Sequence, residues 1–319
     1  MIRRLALEEV QRAREALSPY LPPSPLRRSF ATPSDRVFTK LECWQPTGSF
    51  KVRGATHFIS TLTEAERRRG VVAASAGNHA LGVAFAVQAV GRGVRATLFV
   101  PKTAPRAKIE KLRSYPVTVL ETGTTYDDAH AAATQHAAED GALYLHAFDD
   151  PRTAAGQGTV GLEILEQCPS VEAIVIPVGG GGLITGIAVV VKKLAPHVKI
   201  VAVQPEASPA LRDSLSEGRA LTTYPAGETL SDGLAGGIGE LVFAHRDLVD
   251  AVVTVSEAET EEAILALLVQ DHVVAEASGA VSLAAIRSGK IPTTGPVVAV
   301  VTGSNIDGAV LSRIVRSRG

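Results

Sequence analysis

Ala173-Ile174-Val175-Ile176-Pro177-Val178-Gly179-Gly180-Gly181-Gly182-Leu183 decides the fold of this chain. Its first six residues are apolar without alternation, which suits a strand covered on both faces within a parallel sheet. The four glycines that follow cost conformational entropy, so packing alone does not account for them. Lying before an apolar helix, Gly179 to Leu183 offer unhindered N–H groups at a helix N-terminus, an arrangement that holds a phosphate. The spacing lacks the G-K-[ST] of a Walker loop and is not G-x-G-x-x-G.

The same texture extends in both directions. Short β-branched runs begin at Val37 (VFTKLE), Val71 (VVAAS), Arg95 (RATLFV), Val117 (VTVLE), Ala142 (ALYLH), Lys199 (KIVAVQ), Val252 (VVTVS) and Val297 (VVAVVT). Helical stretches separate them. Thr63 with Glu66, and Ser256 with Glu259, have capping-box spacing, while Gly70, Gly91, Gly141 and Pro196 stand where helices should stop. The pattern predicts an α/β fold of open, doubly wound, mostly parallel sheets. We expect two domains, a small one at 60–148 inserted into a large one formed by 1–59 and 149–319. LSPYLPPSP, from Leu17, reads as an ordered linker, and MIRRLALEEVQRAREAL at the start as an amphipathic helix.

Composition excludes several classes. The 319 residues carry 32 basic and 33 acidic side chains, so no global field draws in nucleic acid or anionic lipid. Aromatics at 4% give no platform for stacking bases. No run reaches the ~20 apolar residues of a membrane span, and no signal peptide is evident. Cys43 and Cys168 are too few for a disulfide framework or thiolate metal site. A cytoplasmic protein is expected, with no nucleic-acid or membrane partner.

Three further segments fall at strand-to-helix junctions, where ligands of such folds gather. Gln45-Pro46-Thr47-Gly48-Ser49-Phe50-Lys51-Val52-Arg53-Gly54-Ala55 follows the first strand run. Thr47 and Ser49 are placed to cap a helix whose first turn presents Lys51. Near amide donors and the positive end of a helix dipole, a lysine loses its proton readily, as bonding to an aldehyde requires. The bland alternative is a solvated surface lysine, which Phe50 and Gly48 argue against. Ser75-Ala76-Gly77-Asn78-His79 can turn so that its amides converge on an anion such as a carboxylate. A plain N-cap is the alternative there, and His79 by itself reads as structural. Thr302-Gly303-Ser304-Asn305 closes the last strand, where Thr302 either caps the final helix or reaches a ring nitrogen.

PTGSFKVRGA, SAGNHA, GGGGL and TGSN, in that order, together with AGQGT (from Ala155) and DGLA (from Asp232), resemble the fold-type II pyridoxal-phosphate enzymes. Within them the chain looks most like the threonine/serine dehydratases and serine racemases. The resemblance covers nearly the whole chain and implies a tryptophan synthase β-like fold with pyridoxal 5'-phosphate as cofactor. It implies that Lys51 carries the cofactor and later moves the substrate Cα proton, with Phe50 packed alongside. Asn78 would bond the ring hydroxyl, Gly179, Gly180, Gly181, Gly182 and Leu183 the phosphate, and Thr302 the pyridine nitrogen. Ser75, Ala76, Gly77, Asn78 and His79 would hold the substrate carboxylate, with the Gly233 backbone near its amine. A homo-oligomer, dimer or tetramer, is implied as well.

The expected reaction is elimination of water from L-threonine or L-serine, a small amino-acid substrate, giving a 2-oxo acid and ammonia. Serine racemase and hydroxyaspartate dehydratase are the alternatives within the family. Ala76 stands where the racemases place a serine working the opposite face of Cα, which favours dehydration. Val52 after the lysine, where β-replacement synthases usually have Asp, argues against that class. A non-catalytic cofactor-binding protein or a nucleotide-binding protein is more remote. Gln204 and Ala210 stand where relatives carry acidic cation ligands, with Ser208 between them and Glu206 as a substitute, so no metal is expected. Because the chain stops soon after TGSN, no C-terminal regulatory domain is expected.

Overall fold

Every anticipated strand run forms a strand, and one more joins them. The structure, a computed structural model, describes residues 3–91 and 93–318. Met1 and Ile2, which open the amphipathic stretch, lie outside the described residues. Among these, the strands are β1 (Leu26–Arg28), β2 (Val37–Leu41), β3 (Val71–Ala74), β4 (Ala96–Val100), β5 (Thr118–Glu121), β6 (Leu143–Tyr144), β7 (Ala173–Pro177), β8 (Lys199–Pro205), β9 (Ala251–Val255) and β10 (Val297–Val301). The α-helices are α1 (Leu7–Leu17), α2 (Lys51–Ser60), α3 (Glu64–Arg69), α4 (Asn78–Ala89), α5 (Arg106–Arg113), α6 (Tyr126–Asp140), α7 (Pro151–Gln167), α8 (Gly182–Leu194), α9 (Ala210–Glu217), α10 (Glu240–Ala244), α11 (Glu257–Gln270), α12 (Ala277–Arg287) and α13 (Gly308–Arg318).

One sheet runs β1-β2-β10-β7-β8-β9 and the other β5-β4-β3-β6. All pairings are parallel except β1 with β2. Not expected from the sequence is β1, whose Leu-Arg-Arg has no strand signature. Pairing at an exposed edge, immediately after the proline stretch, makes it a strand.

Alternate residues of β10 serve two cores, as the pleat requires. Val297, Ala299 and Val301 pack with α12 residues such as Val281 and Ala284. Val298 and Val300 pack with Ile184 and Ile187 of α8. In the smaller sheet, Val71 and Ala73 face α4 and Phe58 of α2, whereas Val72 and Ala74 face Ala129 and Ala133 of α6. Both anticipated capping boxes are present, at Thr63 and Ser256. A third, Thr125 with Asp128, places Tyr126 at the start of α6.

Register sets the site. Val301 lies opposite Leu41, and Ala299 opposite Val175, so β2, β10 and β7 end side by side. The Lys51, Thr302 and glycine segments therefore emerge at one edge. Among the described residues, no helix is long and apolar enough to cross a membrane.

Candidate active site

Lys51 opens α2, but its helix is not started as the sequence suggested. Phe50 occupies the N-cap position and makes no side-chain cap bond. The Thr47 and Ser49 hydroxyls are buried without a partner among the described residues, so they do not cap. The last loop holds this turn instead. Phe50 N–H donates to the Thr302 carbonyl at 3.1 Å, Ser304 N–H donates to Gly48 at 2.9 Å, and Ser49 bridges Gly303.

The Lys51 Nζ donates to the Ala147 carbonyl at 3.0 Å. It lies 5.1 Å from the centre of the Phe50 ring and 6.0 Å from that of Phe148. Burial pulls its pKa down to about 8, with the Glu276 carboxylate acting in the opposite direction. The main cause is thus desolvation.

Gly179 to Leu183 join β7 to α8. Among the described residues, no acceptor takes the N–H of Gly179, Gly180, Gly181, Gly182 or Leu183, so five consecutive donors stand unpaired at a helix start. Gly181 has φ +92°, a backbone that side chains disfavour. A Cβ on Gly180 would sit 2.2 Å from the Phe148 ring. Phe148 therefore touches the glycine turn while lying near Lys51.

The Ser75–His79 segment leads from β3 into α4. Ser75 Oγ accepts from Gly77 N–H at 3.1 Å, fixing the turn. The amides of Ala76, Asn78, His79 and Ala80 find no acceptor among the described residues. His79 is buried, and its Nε2 bonds the Leu145 carbonyl at 2.9 Å. Burial, with Lys51 nearby, lowers its pKa to about 3, so the ring is neutral and donates to that carbonyl. Gly82, one turn beyond Asn78, lets α4 approach α2 so closely that a Cβ there would lie 3.0 Å from the Lys51 backbone. The Thr302–Asn305 loop thus holds the turn before Lys51, α4 packs on the Lys51 backbone, and Phe148 lies between the Lys51 amine and the glycine turn.

Over residues 17–303 the chain matches the family described as "Pyridoxal-phosphate dependent enzyme". This chain belongs to that family. It is 47% identical over 282 residues to the L-threonine ammonia-lyase of Thermotoga maritima, covering 88% of this chain and 69% of the relative. It superposes on maize serine racemase with a TM-score of 0.91 at 31% identity, covering 99% of this chain and 98% of that one. For the processed threonine deaminase isoform 2 of Solanum lycopersicum the TM-score is 0.90 at 33% identity, with 99% and 91% covered.

The site fits the cofactor of these pyridoxal-phosphate enzymes. Five free amides at a helix start suit a phosphate, and a lysine with a lowered pKa suits an aldehyde. Thr302 is buried, and its Oγ1 donates to the Ser278 carbonyl at 3.3 Å, so it does not cap α13. Gly233 N–H donates to Ser278 Oγ at 3.0 Å, and its carbonyl lies 2.8 Å from where a Gly179 Cβ would sit.

Several close neighbours were not singled out from the sequence. Asn78 Nδ2 donates to Glu276 Oε1 at 2.6 Å, and Asn78 Oδ1 accepts from Asn305 Nδ2 at 2.7 Å. Ala147, Phe148 and Ser278 also belong here. Glu276 stands before an apolar helix, where a carboxylate is ordinarily read as favouring the helix start, so no sequence signal separates it. The Gln204 side chain donates to Val178 O and accepts from the N–H groups of Leu211 and Arg212. Among the described residues, no group of three His, Cys, Asp or Glu could hold a metal ion.

Proposed function

We propose that this pyridoxal-phosphate enzyme removes water from L-threonine, L-serine or both, releasing a 2-oxo acid and ammonia. One observation carries the reading: a buried lysine amine of lowered pKa shares Phe148 with a run of unpaired amides suited to a phosphate, and its backbone packs on the helix that follows a second such run, suited to a carboxylate. The named activities of the Thermotoga and Solanum relatives support it.

Gly179 to Leu183 would hold the cofactor phosphate and Lys51 its aldehyde carbon, with Phe50 alongside, Asn78 at the ring hydroxyl and Thr302 at the ring nitrogen. Bound there, the cofactor supplies an electron sink for the Cα carbanion. The amides of the Ser75–His79 turn orient the substrate carboxylate, and neutral His79 leaves that job to backbone donors. The Gly233 backbone faces the substrate amine. Lys51 would take the Cα proton of the bound substrate, and the Ala147 carbonyl holds its Nζ in place. The proton taken by Lys51 balances the one the β-hydroxyl carries off, so that hydroxyl would leave as water; the enamine would tautomerise to an imine that a second water hydrolyses to the 2-oxo acid and ammonia.

A serine racemase is the second reading, favoured by the maize structure. Alanine at position 76 argues against it, because a methyl group cannot deliver a proton to the opposite face of Cα.

We also propose that 60–148 moves as a small domain against 1–59 plus 149–319, and that the enzyme is a cytoplasmic homo-oligomer. In support of the oligomer, Phe30 and Val269 are each 60% exposed, and Phe30 adjoins the turn after α11 through a bond to Asp271.

The test is an absorption spectrum with pyridoxal 5'-phosphate, then 2-oxo acid formation from a panel of β-hydroxy amino acids. Lys51→Ala should abolish both the visible band and turnover. Absence of 2-oxo acid from every substrate, or interconversion of L- and D-serine at a rival rate, would overturn the assignment.

A further inference from the structure

Asn78 carries a carboxamide whose two ends differ chemically but not in shape, so something must fix which end faces the cofactor. Two neighbours do so. Asn305 Nδ2 donates to Asn78 Oδ1 at 2.7 Å, and Asn78 Nδ2 donates to Glu276 Oε1 at 2.6 Å. Turning the amide over would set donor against donor at Asn305 and acceptor against acceptor at Glu276. Both bonds would become repulsions. In the observed orientation one Nδ2 hydrogen is used and the other has no acceptor among the described residues.

Glu276 is built for this contact rather than for its own helix. It occupies the N-cap of α12, yet its side chain makes no cap bond. Its N–H donates to the Gly303 carbonyl at 3.0 Å, tying it to the loop that bridges Ser49. A Cβ on Gly303 would lie 2.0 Å from Glu276 Oε1 and 3.2 Å from Asn78 Nδ2, so a side chain there would strike the pair. Asn305 is held from behind by donating to the Thr47 carbonyl at 2.9 Å.

We propose that Glu276 is a positioning residue of the cofactor pocket: with Asn305 it locks the Asn78 amide so that one N–H is left for a ring oxygen of the cofactor. This rests on the role given to Asn78 under the proposed function. The ionised carboxylate makes the stronger lock, because a charge-assisted bond holds Asn78 Nδ2 more firmly than a neutral one.

The charged and titratable groups facing Glu276 are Asp232, Lys108, Lys51 and Cys43. Burial, then Asp232, pushes the carboxyl up to about 7, while Asn78, Lys108 and the Asn305 amide favour its ionised form. The Cys43 thiol is itself pushed up to about 12 by burial and stays neutral. The lock therefore weakens as pH falls through neutrality.

The experiment titrates cofactor-free wild type, Glu276→Gln and Glu276→Ala with pyridoxal 5'-phosphate across the neutral pH range. It reads the dissociation constant and the visible band. In the wild type both should change with a midpoint near 7. Glu276→Gln still accepts from Asn78, so it should bind within about threefold of wild type at neutral pH and lose the midpoint. Glu276→Ala should bind about tenfold more weakly. A Gln variant that keeps the wild-type midpoint, or an Ala variant with the wild-type constant, overturns the proposal. A wild type that develops no visible band would sink the reading of Lys51 and this inference together. A normal wild-type band with an unaltered Gln variant sinks only the inference.

Discussion

The Lys51 amine sits 3.0 Å from the carbonyl oxygen of Ala147, so the first residue of α2 meets the chain returning from the smaller sheet at one hydrogen bond. Ala147 lies between β6 and α7, and Phe148 next to it touches the glycine turn. A single short segment thus links the amine, the amide cradle and the sheet that carries the Ser75–His79 turn.

Stability of the cofactor-free protein should depend on pH through this amine. Burial lowers the Lys51 pKa from 10.5 to about 8. Between those values the unfolded chain binds a proton that the native one has shed, so stability rises with pH across the window. Below it the full penalty of burying the charged amine is present. The gain is roughly 3–4 kcal/mol. Urea midpoints of wild type and Lys51→Met, compared across the window, isolate it: wild type should gain on the variant as pH rises, while the raised Cys43 thiol lowers both alike.

Gly180→Ala should damage cofactor binding through Phe148. The added methyl would lie 2.2 Å from a ring carbon, so the ring must move or the turn must open. Overpacking of this kind costs about 1–3 kcal/mol, and we expect the dissociation constant for pyridoxal 5'-phosphate to rise at least about tenfold. Gly218→Ala is the control: φ is +70° there, but nothing lies within 4 Å of the new Cβ. It should cost about 1 kcal/mol of stability and leave binding unchanged.

The parts legible in the sequence were those dictated by local chemistry. VVAVV and AIVIP are apolar on both faces because helices cover both sides, and the four glycines stand where amides must stay bare. The parts that were not legible depend on what the folded chain brings near. Glu276 looks like any acidic residue before a helix, and only the fold sets Asn78 against it. Thr47 and Ser49 looked like caps, yet the turn is held by pairing with Gly303 and Thr302, which local spacing does not reveal. β1 has no pattern of its own and exists because β2 offers an edge.

Ala76→Ser should add racemisation to elimination. The serine hydroxyl would stand on the Ser75–His79 turn, where it can exchange a proton with the face of Cα opposite Lys51. Chiral chromatography of L-serine incubated with the variant should detect D-serine, and wild type should form little. A variant that yields 2-oxo acid alone would show that this turn does not face Cα.

Behind Lys51, Arg53 is buried between two carboxylates, and replacing it should unfold the protein more readily than it disturbs chemistry. Its guanidinium donates to Glu42 at 2.7 and 2.8 Å, to Glu163 at 2.6 and 2.9 Å, and to Thr159 at 3.1 Å. Lys40 donates to Glu163 at 2.5 Å, so two cations balance two anions in a nearly water-free space. Arg53→Met leaves Glu42 without its partner, and breaking such a pair costs about 3–5 kcal/mol. Arg53→Lys keeps the charge but cannot form the fork, so it should recover only part of the loss. Acid gives a signed check. Burial opposes ionisation of Glu42, but Arg53 outweighs it and holds the carboxyl below the usual carboxylate range. Without Arg53 that carboxyl is protonated first as pH falls, relieving the unpaired charge. The gap between wild type and Arg53→Met in urea should therefore narrow below about pH 5. An unchanged gap would mean that Arg53 acts through packing and not through its charge.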